Sequence, residues 1–302
     1  MTGTVLILGG TGRFGRHAGK SFERAGWQVR QFDRRHDDLP DMAKGADVIV
    51  NGWNPPYSKW AAQLPELTAQ VIVAARGSRA TVMQPANVYV YGFREAMPAI
   101  VGPDVPQRAT NPLGRLRIDM ERRFREADIQ VILLRGGDFL DDQPSVGWFD
   151  RIIAKNWAKG KLAYPGALDR PHAWAYLPDM TAALPRLAEM RRELGQFTDL
   201  AFSGYTLTGQ ELAEACGAAL GRRMEISSMS WLPIQLARPF WAEAKHLLEM
   251  RYLWDQPHRV DGSALATILP DLPKTPTEQA LRRALQVQID PDQPVVGSGG
   301  NR

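Results

Sequence analysis

Glycines at positions 9, 12 and 15 follow directly on an apolar run, Val5 to Leu8, and open a stretch with apolar residues at helical spacing. That order is what a phosphate cradle requires. The chain must turn sharply from strand to helix, the backbone must approach a pyrophosphate with no Cβ in the way, and the first helical amides must point at the anion. Gly9, Thr11, Gly12, Arg13, Phe14 and Gly15 are thus the predicted dinucleotide-binding turn. Eighteen residues beyond Gly15 the next short strand ends at Asp33. A carboxylate there accepts both hydroxyls of an adenosine ribose and repels a 2′-phosphate, which favours NAD. Arg34 and Arg35 follow at once and can stack on adenine or pair with that phosphate, so NADP is not excluded.

The elements that would carry this turn are legible in the spacing of apolar residues. Short apolar runs at 5–8, 28–32, 48–51, 81–84 and 131–134 read as strands, and the stretches 14–25, 61–76 and 113–127 read as helices between them. Three of the runs are nearly all apolar, as strands covered on both faces must be. The fold class implied is α/β, a Rossmann-type doubly wound parallel sheet over residues 1–140. Beyond it, 141–289 read as a smaller, mainly helical substrate-side lobe that returns some elements to the core. The Pro- and Gly-rich tail 290–302 reads as disordered. Tyr89 and Tyr91 alternate and are expected on one face of a strand, as packing residues.

With the glycine turn go Asp38-Leu39, the run 45–50, Val90-Tyr91-Gly92, Asn111-Pro112-Leu113-Gly114-Arg115, Leu134-Arg135-Gly136-Gly137 and the run 174–179. In order and spacing these motifs resemble the extended and atypical short-chain dehydrogenase/reductases, the NAD-dependent epimerase/dehydratase group, across residues 4–290. The resemblance implies that Asp38 and Leu39 flank the adenine. It runs the loop Asn51-Gly52-Trp53-Asn54 beneath the ribose and phosphates and sets the 135–138 loop, with Gly136, beside the nicotinamide. It also exposes a departure. The family's proton chemistry uses a tyrosine and a lysine four residues apart and a facing serine or threonine. Here Leu113 stands at the tyrosine position, Arg117 at the lysine position and Asn87 at the serine position. No other tyrosine has a lysine four residues on, and an arginine keeps its charge throughout the useful pH range. The standard mechanism cannot operate.

Other groups remain to do chemistry. Arg117 can hold a ribose hydroxyl or place positive charge by the nicotinamide, and Asn87 can donate to a substrate carbonyl. Tyr57 lies in a loop stiffened by Pro55 and Pro56 after the third strand, at the carboxyl edge where ligands bind, and is the candidate proton donor. The plainer reading is that Tyr57 and Trp60 staple the loop to the next helix. His172, ahead of Trp174, is an acid/base or anion-contact candidate, or simply a packed residue. Asp138, Asp141 and Asp142 read as a solvated loop, and His17, His36, His246 and His258 as surface residues. Two functions stay open: an oxidoreductase or epimerase-like enzyme acting on a small carbonyl or hydroxyl compound, and a non-catalytic NAD(P) sensor that keeps the nucleotide fold.

Composition narrows the field. The chain has 302 residues and a net charge of +4, with its basic residues scattered among acids, so no nucleic-acid partner is expected. No run is long and apolar enough to span a membrane and no leader pattern opens the chain, from which a cytoplasmic location is expected. The single cysteine, Cys216, permits no internal disulfide. No metal-ligand spacing, nucleophile elbow or Walker-type loop occurs, and a metal is not implied. Most tryptophans of the second half read as core, and their surplus suggests an aromatic cleft for a bulky or hydrophobic substrate, or a homodimer face.

Overall fold

A computed structural model describes residues 3–93 and 97–286 of the chain. Its first half alternates β1 (Thr4–Leu8), α1 (Arg13–Arg24), β2 (Gln28–Phe32), α2 (Leu39–Ala43), β3 (Val48–Asn51), α3 (Trp60–Ser78) and β4 (Thr81–Ala86). The short β5 (Ile100–Val101), α4 (Pro112–Glu126) and β6 (Val131–Arg135) follow. The second half holds β7 (Asp138–Leu140), β8 (Lys161–Tyr164), β9 (His172–Tyr176), α5 (Leu177–Glu189), β10 (Phe197–Ala201) and β11 (Tyr205–Leu207). It continues through α6 (Gly209–Leu220), β12 (Glu225–Ser228), α7 (Leu232–Ala237), α8 (Ala242–Glu249), α9 (Tyr252–Asp255), β13 (Arg259–Val260), α10 (Ser263–Ile268) and α11 (Thr277–Gln286). The expected disordered tail lies outside the described residues.

Six strands form one parallel sheet in the order β10-β6-β4-β3-β1-β2. Alternate residues of each central strand serve opposite faces. Val5, Ile7, Val48 and Val50 pack with Phe14, Phe22 and Leu184 of α1 and α5, whereas Leu6, Leu8 and Ile49 pack with Leu67, Val71 and Phe124 of α3 and α4. Cover on both faces is why these strands carry apolar residues on both sides. The sheet is thus the predicted doubly wound α/β layer, and β10, α5 and α10 return to it from the second half. The strand order reverses around β1, so the crevice between the ends of β1 and β3 is where such a sheet receives a ligand. No helix among the described residues is long and apolar enough to cross a membrane.

The second half builds a separate core from the small sheet β11-β9-β7, the β12-β8 pair, and α6 packed on α11. Three of its six tryptophans, Trp174, Trp231 and Trp254, are buried in this core with Phe149 and Tyr164, and Trp148 and Trp157 pack half-buried against it. The expectation for Tyr89 and Tyr91 is corrected. The strand ends at Ala86, and the Asn87 side chain accepts from the Tyr89 amide at 3.0 Å, starting a turn. The two tyrosines therefore diverge: the Tyr91 hydroxyl donates to the Gly102 carbonyl, and that of Tyr89 meets Tyr57. Of the expected surface histidines, His36 is exposed but His17 and His258 are buried, and Asp141 is buried too. Each has a polar partner that sequence spacing does not reveal.

Candidate active site

The glycine turn sits at the crevice between β1 and β3. Gly9 has φ +73°, a left-handed conformation that suits glycine, and its carbonyl accepts from the Gly12 amide at 2.9 Å. Gly12 caps α1 without a side chain, leaving the first-turn amides free of a side-chain cap. Gly15 and Gly52 make the close approach possible. A Cβ on Gly15 would run into the Gly9 carbonyl, and one on Gly52 would lie 2.6 Å from the Leu8 carbonyl oxygen. A Cβ on Gly12 itself would fall 3.1 Å from the Gly9 oxygen. Thr11 is exposed at the tip and Phe14 is buried beneath it. The Arg13 guanidinium extends over the Phe139 ring at 5.2 Å and towards the Asp141 carboxylate at 3.9 Å.

The residues at and beyond the end of β2, where the sequence reading expects adenosine, are charged and open. The Asp33 carboxylate accepts from the Arg35 amide at 3.0 Å and pairs with its guanidinium at 3.1 Å. The Arg35 hydrogen bonds lower the Asp33 pKa to about 2, so the group is an anion at any working pH. Arg34 lies over the Trp53 ring at 4.6 Å, and Trp53 is buried against Phe32. Asp38 caps α2 by accepting from the Asp41 amide, which turns Leu39 into the core. Asn51 is buried, its amide donating to Gln84 at 2.7 Å, so its side chain shapes the loop. Gly136 lets Met180 pack closely, since a Cβ there would lie 3.0 Å from the Met180 sulfur. Gly9, Gly12, Gly15, Gly52 and Asp33 thus fit a dinucleotide: a Cβ-free cradle beneath bare helix amides, with an anion beyond the second strand.

A second cluster gathers three sequence candidates. Tyr57 opens a short 3-10 turn ahead of α3, with its ring edge-on to Trp60 at 5.0 Å. Trp60 is fixed by donating to the Pro55 carbonyl at 2.8 Å. The Tyr57 hydroxyl lies 2.7 Å from that of Tyr89. Arg117, buried on α4, holds its guanidinium 4.1 Å from the centre of the Trp60 ring and donates to Asn54 at 2.7 Å. A cation over an aromatic face is favourable where water is excluded. Burial pushes the Tyr57 hydroxyl up to about 12 against the pull of its bond to Tyr89; Asp138 adds to the rise, and Arg117 and Arg13 oppose it. Tyr89 is also raised well above its ordinary value, first by burial and then by Tyr57 and Asp138. Asn87 has its side-chain oxygen committed to the turn, and its backbone carbonyl accepts from Arg135.

His172 belongs to a third group. Its Nε2 is 2.7 Å from the Asp138 carboxylate, and its ring stacks on Trp254 at 4.1 Å and 6°. The His258 ring is 4.7 Å away, with Nδ1 donating to the Gln256 carbonyl. Burial, and then the neighbouring His172, pull the His258 pKa down to about 3, so it is neutral. Asp138 links the groups, since its charge acts on both tyrosines. Tyr89, Asp138 and His258 were not read as site residues from sequence. Tyr89 is 32 residues from its partner and Asp138 34 from His172, and no local pattern records pairings that distant. Leu113, which the sequence resemblance expects at the tyrosine position, is buried, and its amide donates to Glu249 at 2.7 Å. His17, Asp141 and Asp142 bring ligand atoms within 4.8 Å of one another, but Arg16 already pairs with Asp141 at 2.7 Å and makes the group a clasp between α1 and the loop after β7.

No family model matches the sequence, and no curated protein matches it. Solved structures do match. MoeE5 in complex with UDP-glucose and NAD is 16% identical with TM-score 0.72, over 95% of this chain and 99% of the other. The UDP-glucuronic acid 4-epimerase from Bacillus cereus, with UDP-glucuronic acid and NAD, is 12% identical with TM-score 0.72 over the same shares. The UDP-glucose 4-epimerase from Brucella ovis, with NAD, is 16% identical with TM-score 0.71, over 94% of this chain and 98% of the other. The chain shares their fold. The likeness spans both halves of the chain, the β7–β9 side as well as the six-stranded sheet that carries the glycine turn. At these identities it is a likeness of architecture, and the chemistry has to be argued from the residues present.

Proposed function

We propose that this chain binds NAD in the glycine cradle and acts as an epimerase/dehydratase-like oxidoreductase on a small carbonyl or hydroxyl compound. The Tyr57–Tyr89 hydroxyl pair takes the place of the family's tyrosine–lysine pair. The observation that carries this reading is the 2.7 Å contact between two phenols beside the buried Arg117, at the end of the loop that follows β3. NAD bound in structures that share the fold supports the choice of cofactor, and the anionic Asp33 supports NAD over NADP.

When bound, the nicotinamide supplies hydride transfer. The chain's own part is to handle the proton. With its pKa raised to about 12, Tyr57 keeps its proton at neutral pH and is an acid rather than a base. It donates a hydrogen bond to a substrate carbonyl and releases its proton as that oxygen gains charge. Tyr89 donates to the phenolate left behind, and the fixed charge of Arg117 favours that anion. These properties suit the reductive direction. Asn87, with its side-chain oxygen held by the Tyr89 amide, has its NH2 free to donate.

The test is oxidation of NADH by a panel of aldehydes, ketones and nucleotide sugars. Tyr57→Phe should lower turnover by roughly 10²–10⁴-fold with NADH affinity changed only a few-fold. Turnover that survives Tyr57→Phe would overturn the assignment. Leu113 at the usual tyrosine position favours a second reading, a non-catalytic NAD sensor. Calorimetry separates the two, since a sensor binds NAD and NADH with clearly different affinities and consumes neither.

A further inference from the structure

Seven large apolar side chains are exposed among the described residues, and four of them fall within ten positions: Leu232, Leu236, Phe240 and Trp241. Leu232 and Leu236 stand one turn apart on α7, and Phe240 and Trp241 form the corner into α8. Phe240 is 93% exposed, close to the limit for a side chain. The inner side of the same hairpin is well held. Ile234 and Ala244 are buried, and the Trp231 indole donates to the Pro165 carbonyl at 2.8 Å.

Charge divides between the two sides. Both acids of the hairpin face the protein: Glu243 accepts from the Ser58 amide at 3.0 Å, and Glu249 accepts from Leu113 and Asn111 at 2.7 and 2.8 Å. Both permanent cations, Arg238 and Lys245, are exposed. The result is an apolar, aromatic tip with a basic fringe and its acids turned inward.

We propose that this corner is a membrane-contact surface that seats on an anionic lipid bilayer. Phe, Trp and Leu at a protruding corner insert at the level of the headgroups, and Lys and Arg beside them are drawn to anionic lipid. A second copy of the chain fits less well. A stable protein interface uses roughly 20–30 residues a side, and four side chains on a convex corner fall far short of it. This contact is peripheral and needs no spanning helix. The proposal does not depend on the reaction proposed above.

The experiment is co-sedimentation of the full chain with vesicles of phosphatidylcholine alone and of phosphatidylcholine with phosphatidylglycerol in equal parts. The chain is expected to pellet with the mixed vesicles and to stay in solution with the neutral ones. Phe240→Ser/Trp241→Ser should remain in the supernatant with both. Arg238→Gln/Lys245→Gln should bind the mixed vesicles at least about tenfold more weakly, and high salt should mimic that change. All four substitutions are at exposed positions, and urea midpoints check that each variant folds. A wild-type chain that stays in solution with mixed vesicles overturns the proposal, as does a double-serine variant that pellets like the wild type. A dimer in light scattering that the double-serine variant dissolves also overturns it, by making the corner an interface between copies.

Discussion

Replacing Arg135 by methionine is expected to cost about 3–5 kcal/mol, because it strips the counter-charge from two buried carboxylates at once. Arg135 is fully buried at the end of β6. One guanidinium nitrogen donates to the Asn87 carbonyl at 2.6 Å and to Glu121 at 3.1 Å; the other donates to Glu121 at 2.8 Å and Asp199 at 2.7 Å. Burial works against that charge, yet Glu121 and Asp199 hold its pKa above the ordinary arginine value. Methionine nearly fills the space but donates nothing. Glu121 would keep only Gln107, at 2.6 Å, and the Asp199 carboxylate would lose the one hydrogen bond it has among the described residues. The pH response gives the reasoning a second check. Burial already raises the Asp199 pKa even with Arg135 pulling it down, and without the cation it rises further. The folded variant then binds protons at a pH where the unfolded chain does not, so its penalty is full above the raised pKa and is relieved as pH falls through it. Urea unfolding near neutral pH and again about two units lower would measure both effects. Replacing Arg135, Glu121 and Asp199 together by apolar residues should cost less than the single change. A loss below about 1 kcal/mol, or one indifferent to pH, would refute the claim that the buried charges depend on each other.

The glycine cradle and the buried histidine give further tests. Gly12→Val places two methyl groups at the mouth of the cradle, beyond a Cβ that already lies 3.1 Å from the Gly9 oxygen, so calorimetry should detect no NAD binding and the urea midpoint should fall while the variant still folds; unchanged affinity would remove the cradle from the cofactor site. His258 is neutral in the fold, with a pKa near 3 against 6.5 ordinarily. The unfolded chain takes up a proton below about 6.5, so the wild type should lose stability as pH drops from there towards 3, by at most ~1.4 kcal/mol per unit from this group. His258→Gln should flatten that decline in acid unfolding curves, and parallel curves for the two proteins would count against a neutral His258.

Local patterns were enough to read the nucleotide half from sequence. A strand covered on both faces must be apolar along nearly its whole length, which marked 48–51 and 131–134, and even the half-exposed edge strand Gln28–Phe32 was delimited correctly. The glycines at 9, 12 and 15 announced their turn because no other residue type permits that backbone approach. That no tyrosine has a lysine four residues on was legible too, since absence of a residue type at a fixed spacing needs no structure. Which side chains meet across the fold was not. Tyr57 meets Tyr89, His172 meets Asp138 and His258, and Arg135 gathers Glu121 and Asp199 across separations of 14 to 86 residues. Such contacts depend on which loops the sheet order brings to one edge, and that order is not periodic in the chain. The tryptophans make the same point from the other side. Their number suggested a cleft, but whether an indole lines a cavity or fills a core depends on the elements packed above it, and here they close over Trp174 and Trp254. Sequence settled the residue types and the local geometry of the cradle, where the physics acts over a few residues. Tertiary structure decided which polar groups share a buried space, because desolvation and charge pairing act between side chains that only folding brings together.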